Sequence, residues 1–146
     1  MNHLTSEELI PWKCLEKMHH PKAGAVVLFS GESRNHNEGK AVKYLEYEAH
    51  ETLANKIIDE IIDTAKNKWE LHDVFCVHRT GKVDICQSAV VIITLSSHRD
   101  EAYTASRYII DRLKHEAPIW KKEFFEDGTI EWSKGCEHEH NDTVKA

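Results

Sequence analysis

At 146 residues the chain has the length of one ordinary domain, enough to bury a substantial core without disulfide or metal staples. Its 19 lysines and arginines against 25 acids leave a formal net charge of −6, which argues against a general nucleic-acid binder. The 4 cysteines, Cys14, Cys76, Cys86 and Cys136, form no Cys-x-x-Cys pair, and residues 1–22 hold neither a basic leader nor a long apolar run, so a cytoplasmic, non-membrane protein with free thiols is expected.

Residues 1–22 open with Thr5-Ser-Glu-Glu, a helix-capping pattern, ahead of Leu9, Ile10, Trp12 and Leu15 with Pro11 interrupting. Short helical pieces packed on the body are predicted. Residues 24–30 are rich in β-formers and read as a buried strand. The polar stretch 31–39, with glycine at both ends and a lone Arg34, reads as a solvated hairpin loop.

Residues 42–49 alternate, with Leu45, Tyr47 and Ala49 on one face and Glu46 and Glu48 on the other, as in a half-exposed strand. A helix follows over 51–68, its stripe of Leu53, Ala54, Ile57, Ile58, Ile61, Ile62 and Ala65 facing the core. Residues 74–79 and 82–86 flank Thr80-Gly81, a hairpin signature that would bring Cys76 and Cys86 near each other, and 89–96 is the most buried-looking strand. His78 and Arg79 occupy alternating positions and face opposite ways, so at least one is structural.

The chemistry gathers in residues 95–122. Ala102, Ala105, Ser106, Ile109, Ile110 and Leu113 recur at helical spacing, and Ser97 with Asp100 forms a capping box that starts the helix there. His98 and Arg99 then fall in the first turn, where unpaired N–H groups and the helix dipole favour an anion; an ordinary capped helix with surface side chains is the competing reading. Lys114 lies farther along the same helix, roughly 24 Å away at the helical rise. A single-chain pocket does not easily span that, so either two sites exist or, the reading we favour, one pocket is shared between subunits of a dimer.

Pro118 ends the helix, 119–125 reads as a strand, and Asp127-Gly128 turns it into 130–132. Strand alternation separates Lys121 from Lys122, so only one of them points into a given pocket. The local basic residues Arg99, Arg107, Arg112, Lys114, Lys121 and Lys122 suit an anionic small molecule. Adjacent strands mixed with two long helices give an α+β two-layer sandwich with a mixed sheet, a single domain over 23–133 with a packed 1–22 segment and a polar, flexible 134–146 tail. Cys136, His138 and His140 in that tail are the best metal candidates, yet nothing else converges on them, and no metal site or cofactor is expected.

Taken in order, Gly24-Ala-Val-Val-Leu-Phe-Ser-Gly with Arg34-Asn-His-Asn, Leu45-Glu-Tyr-Glu-Ala, Val77-His-Arg-Thr-Gly, Ser97-His-Arg with Ala102-Tyr, Leu113-Lys, and Pro118-Ile-Trp-Lys-Lys-Glu resemble the catalytic large subunit of molybdopterin synthase. The resemblance implies an α/β hammerhead-like fold, a homodimer within a heterotetramer, and a small ubiquitin-like sulfur-carrier subunit whose C-terminal thiocarboxylate supplies sulfur. The implied reaction converts cyclic pyranopterin monophosphate (precursor Z) to molybdopterin. Functional positions carried over are Arg34, His98 and Arg99 for the phosphate and pterin, with Lys114 and Lys121 as catalytic lysines. The alternatives are a non-catalytic scaffold that binds the small partner and an enzyme acting on another phosphorylated heterocycle. Two departures stand out: Cys86-Gln87 where the family often has Gly-Glu, and Ser33-Arg34 where many members read Val-Arg. A C-terminal arginine that some members contribute is also missing, with Lys134 as its stand-in.

Overall fold

The computed structural model describes residues 2–134, which form two sheets and three helices. The first sheet runs in the order β1 (Leu4–Thr5), β5 (Leu71–Arg79), β7 (Ser88–Ser96), β2 (Ala25–Glu32). β1 pairs β5 in parallel while the other pairs are antiparallel, so the sheet is mixed. Every residue of β7 is buried, because it is paired on both edges and covered on both faces. Its apolar run is the sequence counterpart of that position.

The second sheet centres on β4 (Lys40–Ala49), with β8 (Ile119–Phe125) along one edge and β9 (Ile130–Lys134) beyond it. The other edge of β4 is shared by β3 (His36–Asn37) and β6 (Gly81–Asp84). A short α1 (Pro11–Leu15) lies against the first sheet. The long α2 (Glu51–Lys68) and α3 (Arg99–Glu116) pack on each other and on that sheet.

The main core joins Ile58, Ile61 and Ala65 of α2, Ile109 and Leu113 of α3, and Cys76 and Ile92 of the sheet. Ile58, Ile61, Ile92 and Ile109 are fully enclosed, and burying each such side chain contributes about 1.5–3 kcal/mol. On the opposite face Val91, Ile93 and Leu95 pack with Leu9 and Met18 from the N-terminal segment. That segment does more than pack, since Leu4 and Thr5 extend the sheet beside His78 and Arg79. Pro11 opens α1 rather than interrupting a longer helix, as its missing N–H and fixed φ suit a first helical position.

Thr80-Gly81 does not form a hairpin, contrary to the local signature. Both edges of β5 are already taken by β1 and β7, so β6 crosses to β4, where Val83 is fully buried opposite Leu45. Gly81, at φ +83°, gives the chain the left-handed step needed at that corner. Cys76 and Cys86 consequently fall on different segments, with Cys76 buried and Cys86 exposed, and both are free thiols. Residues 31–39 are also more ordered than a solvated loop: β2 ends in a bulge at Gly31/Glu32, and β3 folds back on β4 through Glu38 and Gly39, both at positive φ.

The start of β2 is fitted tightly against the end of β7. Gly24 donates to the Ser96 carbonyl at 3.0 Å, and a Cβ at this position would stand 2.6 Å from the Ser97 carbonyl oxygen. Gly24→Ala is therefore expected to lower stability by about 1–3 kcal/mol, through a backbone shift where β7 leads into α3. The check is a lower urea midpoint at an unchanged m-value.

Candidate active site

A cavity of about 370 Å³ lies between the β2–β3 loop, β4, β8 and the last turns of α3, a size suited to a small heterocyclic ligand. Arg34 from the loop, Lys114 from α3 and Lys121 from β8 all line it. Lys114 follows the buried Leu113 on α3, so its half-buried stem is carried to the cavity by the helix that holds the core. Lys121 and Glu123 share one face of β8, whereas Lys122 turns to the other and lies over the Phe124 and Trp132 rings at 4.9 and 5.2 Å. One lysine of the pair reaches the cavity, as alternation requires.

The loop carrying Arg34 is clamped through its neighbour. Ser33 donates to the Gln87 carbonyl at 3.0 Å and accepts from the Cys86 N–H at 2.9 Å. The Gln87 side-chain oxygen in turn accepts from Arg79 Nη1 at 2.9 Å and from the Asp84 N–H at 3.0 Å. Arg79 is thus a structural residue that steadies the 84–87 turn, on which the Arg34 loop rests.

Sequence reasoning missed the polar floor of the cavity. Glu123 is 3% exposed, and Asn37 Nδ2 donates to its two oxygens at 3.1 and 3.0 Å. Tyr47 meets the His78 ring edge-on with centroids 4.8 Å apart, and both residues line the cavity. Burial, reinforced by the Glu123 charge, pushes the Tyr47 phenol well above its ordinary range, so it stays protonated. The one signal available for Glu123 was its spacing of two from Lys121, which puts an acid and a base on one strand face.

His78 donates from Nδ1 to the Arg79 carbonyl at 2.8 Å, which fixes its tautomer and leaves Nε2 unprotonated. Burial, helped by the charge of Lys114 and opposed by the Arg79 carbonyl, lowers its pKa to about 4. Between pH 6.5 and 4 the unfolded chain binds the proton that the folded chain refuses, so stability is complete above about pH 6.5 and falls as pH drops. The loss reaches about 3 kcal/mol once the pH is near 4. Urea midpoints measured from pH 7 to 4.5 should fall for the wild type and less steeply for His78→Gln, a window lying above most carboxylate titration.

His98 and Arg99 sit at the far end of α3, both exposed, and neither lines the cavity. The helix between them and Lys114 is unbroken, so the separation of roughly 24 Å along its axis stands. The expected capping box is absent: His98 is the N-cap residue, in extended conformation and without a side-chain cap bond, and Arg99 is the first helical residue. The Ser97 hydroxyl is engaged elsewhere, with His72 Nε2 at 2.8 Å and the Lys22 carbonyl at 3.4 Å. Of the other basic residues, Arg107 pairs with Asp111, and Arg112 with Glu116 and Tyr108, along the exposed side of α3.

The family model described as MoaE protein matches residues 4–116. The chain belongs to the MoaE protein family. The molybdopterin synthase catalytic subunit of Thermoplasma volcanium is 39% identical over 129 residues, 88% of this chain and 94% of that one. The protein of the same name from Staphylococcus carnosus is 42% identical over 125 residues, covering 86% and 83% of the two chains. A crystal structure of molybdopterin synthase from Staphylococcus aureus superposes with a TM-score of 0.84 at 37% identity, covering 90% of this chain and 96% of the other.

The span matched to the MoaE family takes in Arg34, His98, Arg99 and Lys114, while Lys121 and Glu123 lie beyond its end. Among the described residues no cluster of three His, Cys, Asp or Glu side chains is placed to hold a metal ion, and no helix is long and apolar enough to cross a membrane. The Cys136, His138 and His140 set lies outside the described residues, as does the side chain of Lys134.

Proposed function

We propose that this chain is the catalytic subunit of a molybdopterin synthase, a cytoplasmic sulfurtransferase of molybdenum cofactor biosynthesis. It converts precursor Z to molybdopterin with sulfur from the thiocarboxylated C-terminus of a small ubiquitin-like subunit. The observation that carries this, beside family membership, is the convergence of Arg34, Lys114 and Lys121 on one cavity of ligand size. Two copies of the chain form the core of a heterotetramer, each active site taking Arg34 and the lysines from one copy and the His98-Arg99 helix start from the other.

The chemistry follows from charge. Precursor Z brings a phosphate, and the partner's terminus brings a thiocarboxylate, so both reactants are anions that the cationic wall draws in. Each charge-assisted hydrogen bond contributes about 1.5–3 kcal/mol. In each of two transfers the thiocarboxylate sulfur bonds to an oxygen-bearing carbon of the substrate as a C–O bond at that carbon breaks, the oxygen leaving in protonated form, and the partner is left as an acyl thioester. Water adding to the acyl carbon puts negative charge on its oxygen; collapse then frees the partner's carboxylate and leaves the sulfur on the pterin. Lys114 and Lys121 stabilise the incoming thiocarboxylate and that oxyanion. No cysteine of this chain has to act as nucleophile, since the sulfur arrives on the partner. Domain boundaries at 1–22, 23–133 and 134–146 fit this reading, with the working parts within 34–121.

Incubating the purified chain with thiocarboxylated small subunit and precursor Z, and scoring dithiolene product, tests the proposal. Product only when both components are present is the expected result. Partner binding without product identifies a scaffold instead.

A further inference from the structure

The wall beside Arg34 holds a polar atom that the protein does not satisfy. Ser33 lines the cavity and is 4% exposed, yet its Oγ has no hydrogen-bond partner among the described residues. Its backbone, by contrast, is bonded on both sides, to the Gln87 carbonyl at 3.0 Å and the Cys86 N–H at 2.9 Å. The loop cannot move to find the hydroxyl a partner within the protein without breaking those bonds, so the group is left for something that enters the cavity to satisfy. Rotation about the Cα–Cβ bond, between staggered positions, is the freedom it retains.

Its neighbours select what would satisfy it. Arg34 is the next residue, and with Lys114 and Lys121 it outweighs the acids Glu32 and Glu123 that line the same cavity, so an anionic oxygen is the group favoured beside it. Other polar groups of the wall are already committed, Asn37 to Glu123 and the His78 Nδ1–H to the Arg79 carbonyl. A hydroxyl offers what the lysines do not, a short donor fixed by the backbone and directed at one atom.

We propose that Ser33 is a ligand-recognition residue whose hydroxyl donates to the anionic oxygen that Arg34 neutralises, on either the substrate phosphate or the partner's C-terminal acyl group. This rests on the catalytic reading above and extends it to a residue that the reading does not use.

Three variants separate the hydroxyl from the space it fills. Ser33→Ala removes it; Ser33→Thr and Ser33→Val form an isosteric pair in which only the first keeps it. For Ala and Val the expected result is a rise of about tenfold in KM for precursor Z or in Kd for the small subunit, the low end for a hydrogen bond to a charged group, with kcat within about twofold. Thr stays near wild type, and the thermal midpoint of the empty Ala variant equals or exceeds that of the wild type. A rise confined to precursor Z assigns the phosphate, and one confined to the small subunit assigns the partner's terminus. Both constants unchanged in the Ala variant overturn the proposal, and so does a lowered Ala midpoint with Thr no better than Val. Should Thr or Val fail to fold, Ala alone decides. Wild-type protein that makes no dithiolene overturns the catalytic reading itself, a result distinct from failure of the Ser33 assignment, which leaves wild-type turnover intact.

Discussion

Lys121→Ala and Lys114→Ala are each expected to slow sulfur transfer by about two to three orders of magnitude, the usual loss when one preorganised donor to a developing oxyanion is removed. Lys122→Ala should stay within about twofold of wild type, because that ammonium lies over Phe124 and Trp132 and not in the cavity. The three substitutions remove the same charge from neighbouring surface, so a general electrostatic effect would treat them alike; position in the cavity would not. Single-turnover measurement of dithiolene formation, with saturating small subunit, reads the chemical step directly. Circular dichroism melts provide the control, since all three lysines are partly exposed and their loss should leave the core intact. Equal losses for Lys121 and Lys122 would remove the basis for assigning catalysis to this cavity.

The parts of this design that were legible in the sequence are those whose cause is local. α2 spans Glu51–Lys68 as its apolar stripe predicts, although Leu53, in its first turn, is exposed and does not face the core, and the His50 ring accepts from the Leu53 N–H to start the helix. β8 runs Ile119–Phe125, set off by Pro118 before it and Asp127-Gly128 after it. The misreadings share a different cause. A Thr-Gly corner has the same chemistry whether the next strand returns to its neighbour or crosses to another sheet, and β6 crosses because β5 has no free edge. Ser97 carries a valid capping signature, but His72 and the Lys22 carbonyl, both distant in sequence, engage its hydroxyl.

The site shows the same division. Which residues are candidates could be read from charge and resemblance, and the distance from His98 to Lys114 from helix geometry alone. Which of them meet within one chain could not. Arg34, grouped in the sequence reading with His98 and Arg99, lines its own chain's cavity with Lys114 and Lys121 because the β2–β3 loop is tied to the 84–87 turn. Glu123 was equally hidden, and so was the burial of His78, since both depend on strands from two sheets closing over them.

That grouping sharpens the expected behaviour of mixed dimers. If each active site draws Arg34, Lys114 and Lys121 from one copy and His98 and Arg99 from the other, then His98→Ala and Lys121→Ala chains, each inactive alone, complement on mixing. With equal amounts and free exchange, half of the dimers are hybrid, and each hybrid has one site carrying both lesions and one carrying neither. About a quarter of all sites are then intact, and activity should recover to about a quarter of wild type. The pairs that fail are as informative as the pair that succeeds. Arg34→Ala should complement His98→Ala but not Lys121→Ala, since Arg34 and Lys121 line the same chain's cavity. Arg99→Ala should likewise fail with His98→Ala, as both belong to one helix start. Sites built within a single chain predict no recovery in any combination, because every site then keeps one lesion. With subunit exchange verified by native mass spectrometry, that outcome would exclude a shared site and leave the His98-Arg99 helix start as a separate surface roughly 24 Å from Lys114.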